Sequence, residues 1–181
     1  MLVAALGAVG LAVIGGGIAT GQLPVNLALS GQPFIGTVSA VGAQEITVYP
    51  RAVSTSAGEL PSIAIKLDHA ELSDVCLSTS AHGLPFLGDV TLFARVPGAG
   101  TATADGVVLD ASSVGGSVSV ADVRLGLDAS ALGEVTGSAT SAVGVGQSSA
   151  GQTRVQIITL TATGASLENL AVSVETGDQS C

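Results

Sequence analysis

The chain has 181 residues and a formal net charge of −9, with 47% hydrophobic, 10% charged and 2% aromatic residues. Five basic residues over that length cannot build a phosphate-binding face, so nucleic acid is not an expected partner. One Tyr, three Phe and no Trp leave too few aromatics for stacking platforms, and low charge with high hydrophobicity excludes a disordered chain.

The charge is unevenly placed. Residues 1–44 carry none, and Glu45 is the first charged residue. The head, from Met1 to Thr20, is apolar throughout except for Thr20. Three readings compete for it. A secretory signal peptide fits the small residues Gly17 and Ala19, but no basic residue precedes the apolar run. A membrane anchor fits the length, because about eighteen helical residues span roughly 27 Å. The third reading is a helix buried against copies of itself. Ala4, Ala8, Ala12 and Gly16 recur every four residues and form a stripe of small side chains that allows close helix approach. Leu2, Val3, Leu6, Val9, Leu11, Val13 and Ile14 occupy the other faces, and a helix apolar all round must be buried on all sides. The third reading is favoured. Domain organisation is therefore expected as a hydrophobic helix over 1–22 and a β-domain over 23–181.

From about Val25 the signals are those of β-structure. Short alternating runs sit between Gly, Pro, Ser and Asp turns. The patterns predict strands over Phe34–Val41, Glu45–Tyr49, Ser62–Leu67, Val90–Arg95, Gly106–Asp110, Ser117–Val120, Asp122–Leu127, Arg154–Ala162 and Leu167–Glu175. Val118 and Val120 alternate with serines, and Leu170, Val172 and Val174 alternate with Ala171, Ser173 and Glu175, as in an antiparallel sheet with two unlike faces. The fold class expected is mainly β, an antiparallel β-sandwich or strongly curved sheet preceded by an N-terminal hydrophobic α-helix. The pattern L-D-x-x-x-[LV] begins at Leu67, Leu109 and Leu127, at irregular spacing. A solenoid repeat and repeated strand-to-turn corners explain it equally well. Gly133 to Gln152, rich in small residues, reads as a partly ordered loop.

Catalytic patterns are poor. His69 lies beside Asp68 and Glu71, with Asp74 and Cys76 following, but a metal site needs three or four convergent ligands. A solvated turn is the simpler reading, and no cofactor is expected. Gly146-Gln147-Ser148-Ser149-Ala150-Gly151 is one residue away from a nucleophile-elbow pattern and reflects local composition. The two cysteines, Cys76 and Cys181, suit a bridge if the protein is exported; two free thiols and an intermolecular bond are the alternatives.

Several motifs occur in a distinctive order. An apolar segment precedes Ser30-Gly31-Gln32-Pro33-Phe34. Leu72-Ser73-Asp74-Val75-Cys76-Leu77-Ser78 and Leu87-Gly88-Asp89-Val90-Thr91-Leu92 follow. Then come Gly106-Val107-Val108-Leu109-Asp110-Ala111, Gly144-Val145-Gly146-Gln147 and a cysteine at the C-terminal end. In this order the chain resembles a family of small exported actinobacterial proteins of unknown function. The resemblance implies an exported, mostly β domain with bridgeable cysteines at Cys76 and Cys181, and carries over no catalytic residue. The chain departs from that pattern in lacking basic residues before its apolar segment.

The function expected is that of a structural subunit, not an enzyme, in an extracellular or cell-surface filament or tube. Its partners are copies of itself, with the apolar helix buried between subunits. The alternative is a membrane-anchored or envelope lipid-binding protein, for which lipid or membrane is the partner. A hydrolase relying on His69 or His82 ranks last.

Overall fold

The computed structural model describes residues 25–28, 33–55, 58–131 and 141–181. The expected helix over 1–22, with its stripe Ala4, Ala8, Ala12 and Gly16, lies outside the described residues. Among those residues there is no helix. The described residues form nine strands in one sheet: β1 (Val25–Ala28), β2 (Phe34–Thr55), β3 (Gly58–Ser73), β4 (Val75–Leu84), β5 (Gly88–Val96), β6 (Ala102–Asp128), β7 (Ser141–Ala162), β8 (Gly164–Leu167) and β9 (Ala171–Thr176). Every ladder is antiparallel.

The sheet is curved to the point of closure. β2 pairs β3, β3 pairs β6, β6 pairs β7, and β7 pairs β2. The cycle is heavily staggered. From Val48, the route through Val143 of β7 reaches Leu125 of β6, whereas the route through Ile65 of β3 reaches Leu109. The strands therefore wind around the barrel axis, as a large shear demands. This explains why β2, β6 and β7 run to 22, 27 and 22 residues, far beyond the usual five or six.

Strands of that length bend at shared corners. Around Glu45 all four ladders skip one position: Asp68 faces Gly106, Glu45 faces Asp68 and Gly146, and Gly146 faces Asp122. Alternate members of this row are left-handed, with φ of 55° at Gly106, 49° at Glu45 and 56° at Asp122. The row leaves β6 at Gly106, crosses three strands and returns to β6 at Asp122. A left-handed residue within a strand shifts its two-residue alternation. Ala43 and Ile46 consequently face inward together, three residues apart, as do Leu67 and Ala70. Ala43, Ile46, Ala70 and Val145 form one core cluster, with Val41, Val48, Ile65, Leu67 and Val143 packed against it. Tyr49, Ala64, Ala129 and Ala142 form a second cluster with Leu127 beside it. Apart from Tyr49, both clusters are built of Ala, Val, Ile and Leu.

These bends correct several sequence expectations. Phe34–Val41 and Glu45–Tyr49 are one strand broken in pattern by Glu45, and three predicted strands between Gly106 and Leu127 merge into β6. Ser141–Gln152, expected as loop, lies in β7. β4 was not foreseen as a strand. The last predicted strand is interrupted by a turn in which Asn169 has φ 58°, dividing β8 from β9. The three L-D motifs have unlike roles: Asp68 stands in the corner row, Asp110 is buried, and the Asp128 carboxylate accepts hydrogen bonds from Ser130.

Candidate functional site

The cysteines are joined. Cys76, at the start of β4, is bonded to Cys181 with an S–S distance of 1.98 Å, closing a separation of 105 residues. The tail after β9 is also held by hydrogen bonds. Thr91, fully buried on β5, donates to the Gly177 carbonyl at 2.8 Å and accepts from the Gln179 amide at 2.9 Å. Ser80 donates to Asp178 at 2.7 Å, the Cys181 amide donates to Ser78 at 3.2 Å, and Arg154 donates to the Cys181 carbonyl and to Ser180. Between this tail and β2 lies a shallow groove of about 290 Å³, which Ser80, His82 and Asp178 help to line. These three residue types resemble a hydrolytic set, but the hydrogen bonds pair them otherwise. Ser80 serves Asp178 and Thr91, while His82 lies 3.6 Å from Asp89. The Asp89 carboxylate is held below the ordinary aspartate range by the Gly83 amide, with a smaller contribution from His82. Asp74 is lowered similarly by the Gly98 amide and the Ser39 hydroxyl. Both carboxylates fasten turns.

His69 and Asp110 are engaged in pairs across the sheet. His69, expected in a solvated turn, sits within β3 opposite Asp105 of β6, with Nδ1 at 2.6 Å from Oδ1 and Nε2 at 4.0 Å from Glu71. Asp110 is fully buried. Its carboxylate accepts from Arg51 Nε at 2.5 Å, from Arg51 Nη2, from Thr159 at 2.5 Å and from Ser62 at 3.3 Å. The hydrogen bond to Asp110 raises the Arg51 pKa above its ordinary value, against a smaller opposing effect of burial. Among the described residues no group of three His, Cys, Asp or Glu side chains is placed to hold a metal ion. Ser148 and Ser149 lie in the middle of β7, without the sharp turn a nucleophile elbow requires.

The most unusual surface is an end of the barrel. Residues 112–127 of β6 pair with β7 along one edge, and among the described residues no strand pairs with their other edge. Directly opposed residues project to the same side of a sheet. Val123 faces Val145, which faces Ile46, which faces Leu67, so Val123 belongs to the inward row of the core. Leu125 likewise extends the row Val143–Val48–Ile65. Val120 extends Ser148–Ala43–Ala70, and Val114 faces Val155. Yet Val118, Val120, Val123 and Leu125 are 58%, 51%, 46% and 76% exposed. Among the described residues nothing covers this end of the core, and its last layer is a row of apolar side chains along a strand edge that no described strand pairs. Sequence reasoning saw the alternation in this segment but not that its inward face is uncovered, because exposure depends on which strand comes last in the cycle.

No curated protein and no solved structure matches the chain. A family model covers residues 30–181, the whole of the closed sheet with both bridged cysteines. The chain belongs to that family, DUF6230, a family of unknown function.

Proposed function

We propose that this protein is a structural subunit that assembles with copies of itself, outside the cell or at its surface, and that it catalyses no reaction. The observation that carries this reading is the open end of the core along β6, where five inward apolar residues from Val114 to Leu125 stand exposed. A long, apolar strand edge without a partner is a site of association unless charged residues, Pro, bulges or a covering element blunt it, and between Val114 and Leu125 the only charges are Asp122 and Arg124. Residues 112–128 contain neither Lys nor Pro. In this reading the uncharged head supplies a second association surface, with an apolar helix over 1–22 buried between subunits in a filament or tube. The Cys76–Cys181 bond suits an oxidising compartment. A lipid carrier is less well supported, since the barrel interior is filled by Ala43, Ile46, Ala70, Val145 and their neighbours.

The test is sedimentation and negative-stain microscopy of the purified full chain over a concentration series. Regular assemblies are expected, dissolving on deletion of residues 1–22. A full chain that stays monomeric at every concentration overturns the reading.

A further inference from the structure

We infer that the open β6 edge is closed by the same edge of a second copy, in an antiparallel two-fold ladder centred on Ser119. The inference rests on the self-assembly reading for its partner and goes beyond it in naming the interface and register. The argument comes from the corners. Within its free stretch β6 departs from extended backbone at Gly116, Asp122 and Gly126, where the φ values are 152°, 56° and 76°. Gly116 and Asp122 flank the exposed Val118 and Val120, so a second strand continues the sheet over those two valines only if it bends where Gly116 and Asp122 do. In an antiparallel pair of identical strands, one register superposes both bends: Gly116 opposite Asp122 of the second copy, and Asp122 opposite its Gly116. That register places Ser119 opposite Ser119.

Its other consequences are favourable. Val118 falls opposite Val120 of the second copy, and Val120 opposite its Val118. All four point inward, so they cover the open ends of both cores. Beyond Gly116, β6 already takes a one-residue offset against β7, where Ser117 faces Gly151 but Gly115 faces Arg154. The same offset against the second copy brings Val114 opposite its Leu125, again inward to inward. Registers centred on either bend fare worse. Centring on Asp122 sets two carboxylates side by side, and like charges directly opposed are destabilising. Centring on Gly116 brings Asp122 opposite Asp110, which already lies between β3 and β7. An isologous contact of this kind closes after two copies. Growth of a longer assembly then requires a different surface.

Cysteine cross-linking in the full chain reads the register directly. Opposed residues of an antiparallel pair have Cα atoms about 4.5–5.5 Å apart, within disulfide reach. Ser119→Cys, on the outward face, is expected to form a covalent dimer under mild oxidation, at least tenfold more than Ser113→Cys or Ser117→Cys alone. Combining Ser117→Cys with Ala121→Cys is expected to restore cross-linking. Val118→Lys combined with Val120→Lys, with an unchanged circular dichroism spectrum, is expected to abolish dimers by analytical ultracentrifugation. Cross-linking that peaks at a residue other than 119, or a chain monomeric at concentrations where Ser119→Cys is tested, overturns the inference. Regular assemblies without a Ser119 cross-link reject this interface and leave the structural role standing. A Ser119-linked dimer that never forms larger assemblies supports the interface and rejects the filament or tube.

Discussion

At the scale of single residues, the buried ion pair separates two kinds of damage. Asp110 is fully enclosed, whereas the Arg51 side chain is 31% exposed. Removing the arginine strands a carboxylate that only Thr159 and Ser62 still contact. Removing the aspartate leaves a cation with partial access to water. Breaking a buried pair from one side costs about 3–5 kcal/mol. Arg51→Met is therefore expected near the upper part of that range and Asp110→Asn clearly below it, measured by urea denaturation. Equal losses would show that solvent access to Arg51 does not matter. None of this was legible beforehand. Asp110 appeared in the sequence as one of three similar L-D motifs, and only its place between Ile63–Leu67 of β3 and Ile157–Thr161 of β7 distinguishes it from Asp68 and Asp128.

At the scale of elements, the corner row explains both what the alternation revealed and what it hid. The β class was legible because each straight section keeps a two-residue period, as in Ser117–Val120. Strand length was not, because each left-handed residue moves the inward set by one and makes one strand read as two. Ala43 with Ile46, and Val120 with Val123, record that shift as apolar pairs three apart across an acidic residue. L-residues other than Gly, Asn and Asp adopt left-handed backbone at a cost of about 1–2 kcal/mol. Glu45→Gly, which removes that cost, is thus expected to be neutral or stabilising in thermal unfolding, while Glu45→Val is expected to be destabilising, because a β-branched residue fits left-handed backbone worse than the glutamate it replaces. Gly146 is constrained differently. A Cβ there would lie 3.1 Å from the Asp122 Cβ, so Gly146→Ala is expected to lower the melting temperature unless paired with Asp122→Gly. A Gly146→Ala loss that Asp122→Gly fails to relieve would argue against this contact.

At the scale of the whole molecule, the disulfide stitches the end of the chain to its middle. β4, β5 and β9 project from the closed cycle, attached to β2 through Ile35–Thr37. The tail returns across them to Cys76. Closing 105 residues is worth about 4.7 kcal/mol in the chain-entropy model. Cys76→Ser with Cys181→Ser is expected to lower stability by several kcal/mol in guanidinium unfolding. It is also expected to loosen β9 before the four-strand cycle, as amide exchange would record. Uniform loss of protection across all strands would place the bridge within the cycle's own cooperative unit. The cysteine pairing was legible from an even count and a C-terminal position. The closed cycle was not, since no local pattern states which long strand returns to meet the first.

The row from Gly106 to Asp122 begins and ends on the same strand, which ties the lengths of four segments to one another. One residue inserted into β2, β3 or β7 displaces a bend from its neighbours on both sides, and one inserted between Gly106 and Asp122 leaves the winding unable to meet itself. Among relatives, gaps in alignment are therefore expected in connections such as Pro85–Leu87 and around Ala129–Ala131, and not within the wound strands. The strand lengths would then be inherited together, as a single character of the family.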